Sequence, residues 1–128
     1  MNVVDSCGWL EYFSNGDNAD FFAPILEDSE HLLVPSLSVF EVCKRVALQR
    51  GEEAATQAAD FMALGVPVLL TAETALRAAL YSARHQLAMA DSIILSSARE
   101  RSVTLWTQDG DLKGHDGVKY LAKLRQQR

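Results

Sequence analysis

The sequence is poor in the features that mark several large classes of protein. Two cysteines, Cys7 and Cys43, stand in 128 residues, and neither belongs to a Cys-x-x-Cys pair. That excludes a disulfide scaffold and leaves two reduced thiols that read as small packed apolar groups. No apolar run approaches the roughly 20 residues that a membrane span requires. The opening residues, MNVVDSCGW, lack the basic patch and long apolar stretch of a secretory signal. A surplus of positive charge is missing too. The formal net charge is −5, which is not the signature of a protein that binds nucleic acid over its whole surface. His31, His85 and His115 are scattered along the chain, so they offer no zinc-like cluster and read as surface residues. No repeat, low-complexity tract or linker interrupts the chain. What these absences leave is one soluble, cytoplasmic domain over residues 1–128, with 48% apolar residues to build its core.

The charge is uneven. Residues 113–128 carry Lys113, Lys119, Lys123, Arg125 and Arg128 against Asp116 alone, so this segment is +4 and the rest is −9. Such a tail either attracts an anionic partner or is a solvated end.

Short apolar runs alternate with helical patterns. Strands are expected at Asn2 to Val4, Leu32 to Val34, Val66 to Leu70, Val103 to Trp106 and Val118 to Leu121. Pro67 places the third of these at a sheet edge or a strand start. Helices are expected over 19–28, 37–50, 52–64, 72–86 and 90–101, with a further helical pattern in GWLEYF. Gly65 closes the 52–64 helix and Thr71 caps the 72–86 helix. In that last helix Leu76, Ala79, Leu80 and Ala83 recur at helical spacing. The alternation predicts an α/β sandwich, its sheet mostly parallel and covered by helices on both faces. Ligands of such sheets gather beyond the carboxyl ends of the strands, which is where Asp5 and Asp109 fall.

The acids therefore carry the chemistry. Asp5 ends the first strand, where it is either the N-cap of the next helix or a functional acid. Glu41 lies in the 37–50 helix, whose main apolar stripe is Val39, Val42, Cys43, Val46 and Ala47. At about 100° per residue Glu41 points away from that stripe, toward a side shared with Leu37 and Leu48 and next to Phe40. This helix is apolar nearly all round and is expected to be largely covered, so its carboxylate needs a partner. Arg45, four residues on, would supply an ordinary helix ion pair; a functional site is the other answer. Asp91 shares a face with Ile94, Leu95 and Ala98, the face expected to meet the core. The helix dipole favours an acid in this first turn and holds it ionised. In TQDGD, Asp109-Gly110-Asp111 is a common turn, and Thr107 adds a hydroxyl able to position water or bond a carboxylate.

Asp5, Glu41, Asp91 and Asp109 come from four separate elements, 36, 50 and 18 positions apart. If they converge, their mutual repulsion calls for a counter-charge. A hard divalent cation such as Mg²⁺ or Mn²⁺, which prefers oxygen ligands, would supply it and could activate a water against a phosphodiester.

The opening strand with its acid (NVVDSCGWLEYF), the helix acid in PSLSVFEVCKR, the acid in MADSIILSSARE and the strand end VTLWTQDGDL, in this order, resemble the PIN domain. In length and layout the chain resembles the VapC-type toxins of toxin–antitoxin pairs. The resemblance implies a PIN-like three-layer sandwich in which Asp5, Glu41, Asp91 and Asp109 form an acidic quartet. That quartet would bind Mg²⁺ or Mn²⁺ and activate water. Asp111 would be an auxiliary acid, and Thr107 and Ser6 would be hydroxyls near the metal. It also implies an endoribonuclease, the toxin of a type II system, acting on RNA as a homodimer. Inhibition by a cognate VapB-type antitoxin would follow, with a larger assembly formed on that antitoxin and DNA reached only through it. No membrane partner is implied. Gly8 departs from the pattern and is expected only to loosen the first helical turn.

Lys44, Arg45, Arg99, Lys113 and Lys119 are candidates for phosphate contacts, against plain solvation. Trp9, Tyr12 and Phe13 either stack bases, face the antitoxin or pack in the core. Two other readings remain open: a catalytically silent binding module of the same fold, and a receiver-like domain that accepts phosphate on an aspartate.

Overall fold

A computed structural model of the protein describes residues 1–123. In chain order the elements are β1 (Asn2–Val4), α1 (Ser6–Phe13), α2 (Ala19–Leu26), β2 (Leu32–Pro35), α3 (Ser36–Arg50), α4 (Glu52–Met62), β3 (Val66–Val68), α5 (Ala72–His85), α6 (Met89–Glu100), β4 (Thr104–Thr107) and β5 (Val118–Tyr120). Short 3₁₀ turns occupy Ser29–His31 and Gly110–Leu112. Local chemistry sets several boundaries. The Asp5 carboxylate accepts from the Ser6 amide at the start of α1, and the Thr71 hydroxyl accepts from the Thr74 amide at the start of α5. The α3 helix stops at Gly51, whose φ of 91° suits glycine.

All five strands pair in parallel, in the order β3-β2-β1-β4-β5. Pro67 lies in the edge strand β3, where its missing amide costs the sheet little. From β1 the chain first builds outward through β2 and β3, then returns to lay β4 on the other side of β1. The junction of β1 with β4 is therefore the point where the winding reverses, and a crevice opens there at the strand ends.

Alternation along the strands divides the core into two layers. Val4, Leu32 and Val34 pack with Trp9, Phe22, Leu26, Val42, Val46, Ala58 and Met62 from α1 to α4. Val3, Leu33, Val68 and Leu105 pack on the other face with Ile94, Leu95 and Ala98 of α6, and Leu87 and Leu112 close that layer. The result is the expected three-layer sandwich.

Some boundaries move. Strand β3 ends at Val68, so Leu69 and Leu70 lie in the exposed connection to α5. Strand β4 runs from Thr104 to Thr107, β2 includes Pro35 and β5 stops at Tyr120. Helix α4 ends at Met62, before Gly65. The basic segment is described as far as Lys123; Arg125 and Arg128 fall outside the described residues.

Two helices present apolar residues to solvent. The stripe of Leu76, Ala79, Leu80 and Ala83 on α5 faces solvent, with Leu76 60% and Leu80 53% exposed. Thr74 and Ala78 turn inward instead, the Thr74 hydroxyl donating to Glu100 Oε2 at 2.7 Å. Helix α3 is not covered all round either: Phe40 is 63% and Leu48 76% exposed. Of the predicted stripe Val42 and Val46 are buried and Val39, Cys43 and Ala47 half-buried, while Ser38 is buried beside them. Gly8 does more than loosen a turn. A Cβ there would stand 2.5 Å from Val4 Cγ1 and 2.8 Å from Phe22, so glycine is what lets α1 lie against β1 and α2.

Candidate active site

The site begins with parallel pairing. Val4 lies opposite Trp106, so the next residues, Asp5 and Thr107, emerge side by side from β1 and β4. The Asp5 amide donates to the Trp106 carbonyl at 3.0 Å and holds the two strand ends together. Asp5 is only 4% exposed and Thr107 is fully buried. The Thr107 hydroxyl donates to Asp5 Oδ2 at 3.0 Å and accepts the Asp109 amide at 2.9 Å. One hydroxyl thus links the first acid to the turn that bears another.

Helix α6 runs back across the sheet, so its first turn lies at the same edge and carries Asp91 there. Ile94, Leu95 and Ala98 are buried, as the spacing of Asp91 predicted. One ligand atom each from Asp5, Asp91 and Asp109 lies within 4.8 Å of the others. Among the described residues, no ion pair reaches any of the three. Three carboxylates share this space.

Their electrostatics follow from that crowding. Burial pushes the Asp5 carboxyl up, against hydrogen bonds from Cys7, Thr107 and Ser6 that pull it down. Asp91 is pushed up to about 7, first by burial and then by the charges of Asp5 and Asp109 and its hydrogen bond to Asp109. The helix dipole favours the ionised form of Asp91, and desolvation and like charge oppose it here.

Glu41 stands outside the group of three. It is half-buried on α3, and its carboxyl is raised by burial and then by the charge of Asp5, which puts it within electrostatic reach of the cluster. The Glu41–Arg45 ion pair is not among those of the described residues. Asp111 is exposed and also outside the group; its amide donates to Asp109 Oδ1 at 2.9 Å, and its charge adds to the rise at Asp91. Ser6 contributes its backbone, the amide donating to Asp5 Oδ1 at 2.8 Å.

Cys7 has a place that composition could not show. Its Sγ lies 3.3 Å from Asp5 Oδ2 and 3.4 Å from Thr107 Oγ1. Burial, then the neighbouring Asp5 charge, pushes this thiol up to about 12, so it stays a donor. The available signal was positional: with Asp5 as N-cap, the side chain at the second helical position falls beside it. Gln108, between Thr107 and Asp109, is buried and accepts from Asn18 Nδ2 at 3.0 Å, which ties the site turn to α2. Trp9 is buried in the core, while half-buried Tyr12 and Phe13 join it and Phe61 in one aromatic cluster. His31 and His85 are exposed, but His115 is half-buried and bonds Tyr81, with the His85 ring 6.1 Å away. These two histidines are neighbours rather than scattered groups.

The sequence matches the PIN domain over residues 3–118. The chain belongs to the PIN-domain family. A search of curated protein sequences finds no match. Solved structures with this fold include a toxin–antitoxin complex from Klebsiella pneumoniae, with TM-score 0.76, 20% identity and coverage of 93% of this chain and 96% of that one. VapC20 of Mycobacterium tuberculosis, described as a sarcin–ricin loop cleaving toxin, gives TM-score 0.71 at 18% identity over 88% and 92% of the two chains. VapBC2 of Rickettsia felis, bound to a DNA fragment from their promoter, gives 0.72 at 13% identity over 94% and 98%. Membership of the PIN family sets aside the receiver-like alternative. The three grouped carboxylates are hard oxygen donors with no ion-pair partner among the described residues, and so fit a divalent ion of the Mg²⁺ or Mn²⁺ type. Among the described residues, no helix is long and apolar enough to cross a membrane.

Proposed function

We propose that this PIN domain is a metal-dependent endoribonuclease, the toxin of a toxin–antitoxin pair acting in the cytoplasm. The observation that carries this reading is the convergence of Asp5, Asp91 and Asp109 within 4.8 Å, with no cationic partner among the described residues, at the reversal point of a parallel sheet. Like charges this close hold together when a cation joins them. Asp5, Asp91 and Asp109 would hold Mg²⁺ or Mn²⁺, with Glu41 as the fourth acid of the site and Asp111 an auxiliary beside it. The ion, when bound, supplies a polarised water and offsets the negative charge that builds on the phosphodiester during attack. The chain supplies the geometry. Thr107 and Cys7 converge on Asp5 Oδ2 while the Ser6 amide takes Oδ1, so the carboxylate cannot swing. Thr107 also anchors the Asp109 amide, which keeps the two strand-end acids in register.

The exposed apolar stripe of α5 has a physical reading in a homodimer. Leu76 and Leu80, with Leu69, Leu70 and Met89 nearby in the chain, leave an apolar surface that a second copy would cover. An antitoxin segment would suit the apolar cleft of about 380 Å³ between α1, α3 and α4, where Tyr12, Phe13 and Phe61 line one side and Arg50 offers a charge to an acidic residue.

Cleavage of a total-RNA preparation tests the central reading. With Mn²⁺ or Mg²⁺ the protein is expected to give discrete cuts that EDTA and Asp5→Asn abolish. Cuts that persist in EDTA or in the variant would refute it.

A further inference from the structure

We propose that Asn18 is a positioning residue for the metal site: through Gln108 it holds the turn that bears Asp109 against the repulsion of Asp5 and Asp91. This deepens the metal-dependent reading above and rests on it. Asn18 and Gln108 stand 90 positions apart in the chain, and both are buried, at 5% and 8% exposure. Asn18 Nδ2 donates to Gln108 Oε1 at 3.0 Å and to the Ala122 carbonyl at 3.1 Å. The second bond fixes the sense of the first. A backbone carbonyl only accepts, so Asn18 must turn its NH₂ group that way, and Gln108 must then present its oxygen.

Three features make this bond more than a packing contact. First, Asn18 occupies the N-cap position of α2, where asparagine ordinarily accepts a backbone amide, yet its side chain makes no capping bond. Its amide is committed to the site turn instead. Second, every residue of that turn is held. The Thr107 hydroxyl bonds Asp5, and its carbonyl accepts the Leu121 amide at 2.9 Å. The Gln108 amide bonds the Cys7 sulfur, and its side chain is held by Asn18. The Asp109 amide donates to Thr107 Oγ1. Third, the turn needs holding. Asp109 shares its space with two carboxylates, and without an ion like charge drives it outward. The Asp111 amide that donates to Asp109 belongs to the same turn and moves with it, so the restraint has to come from another element. Remove the Asn18 donor, and two buried acceptors lose a partner while the turn gains freedom to carry Asp109 away.

The test reads metal affinity apart from cleavage. Mn²⁺ is titrated by isothermal calorimetry at pH 8 into the wild-type chain, Asn18→Asp, Gln108→Met and the double variant, with circular dichroism to check the fold of each. Asn18→Asp keeps the size and capping preference of the residue but sets an oxygen against two acceptors. Its added charge would by itself draw Mn²⁺ in, so weaker binding there reports lost positioning. Gln108→Met keeps the length of the side chain, adds no charge and removes the acceptor. Each single variant is expected to weaken Mn²⁺ binding roughly 10- to 100-fold, the usual effect of losing an outer partner of a metal ligand. The double variant should lose no more than about twofold beyond the weaker single one, because both changes break the same bond. A bond that only supports the fold would lower Tm in EDTA and leave the Mn²⁺ affinity of the folded protein where it was. Affinities within twofold of the wild type for both single variants would therefore overturn the proposal. So would additive losses in the double variant, or loss of fold in both single variants. A wild type that binds no Mn²⁺ would overturn the metal-dependent reading as well; a wild type that binds it while the variants match overturns only the role of Asn18.

Discussion

Replacing Asp91 by Asn should stabilise the metal-free protein, and the structure sets the size and the pH window of the gain. The folded chain pushes Asp91 from an ordinary 3.8 up to about 7, through burial and then the charges of Asp5 and Asp109. Between these values the folded protein keeps a proton that the unfolded chain releases. Stability therefore falls as pH rises through this window, and the full penalty is present above pH 7. A shift of about three units corresponds to about 4 kcal/mol. Asp91 is only half-buried, so solvent screening roughly halves this, to about 2 kcal/mol. Asn is nearly isosteric and carries no charge. For a domain of this size the expected gain is an increase in Tm of about 7 °C at pH 8 in EDTA, shrinking to a small difference near pH 4. Saturating Mn²⁺ should reverse the order, because the parent gains binding free energy that the variant has lost. Thermal denaturation followed by circular dichroism reads all three conditions. A variant less stable than the parent at pH 8 in EDTA, or one whose advantage is the same at pH 4 and pH 8, would refute the reasoning.

The remaining predictions concern neighbouring residues. Cys7→Ala removes one of two side-chain donors to Asp5 Oδ2 and should weaken Mn²⁺ binding about tenfold; Cys7→Ser should retain most of it, and equal affinities by calorimetry in all three proteins would show that the thiol only fills space. Glu41→Gln should weaken Mn²⁺ binding less than Asp5→Asn does, because Glu41 lies outside the group of three; an unchanged affinity would remove it from the site. Gly8→Ala forces a methyl to within 2.5 Å of Val4 and 2.8 Å of Phe22, both fully buried, and should cost about 1–3 kcal/mol in urea denaturation. A neutral Gly8→Ala would mean that α1 can move off the sheet freely.

Much of the fold was legible because its signals are local. Val3-Val4 and Leu32 to Val34 are short apolar runs between helical patterns, and such alternation specifies a parallel sheet. The three grouped acids had local signals too: Asp5 follows β1 directly, Asp109 lies two residues beyond β4, and Asp91 shares the buried face of Ile94 and Leu95. What escaped the sequence depends on distance in space. Nothing in the spacing of Asp5 and Thr107 shows that they meet, since that requires β1 and β4 to be neighbours. Periodicity identified the stripe of Leu76 and Leu80 correctly as apolar but could not say whether core or solvent lies against it. On α5 the inward positions went to Thr74, which has a hydrogen-bond partner, and to small Ala78. The Asp91 dipole argument was incomplete for a related reason: a local dipole was weighed without the two carboxylates that the fold brings beside it.

Titration of Mn²⁺ into the wild-type protein by isothermal calorimetry at pH 8, beside Asp5→Asn and Asp109→Asn, tests the central claim most directly. The acid cluster predicts saturable binding to the wild type and its loss in both variants, with circular dichroism showing all three folded. A wild-type protein that binds no Mn²⁺, or variants that bind it equally well, would contradict the claim that these carboxylates form a metal centre.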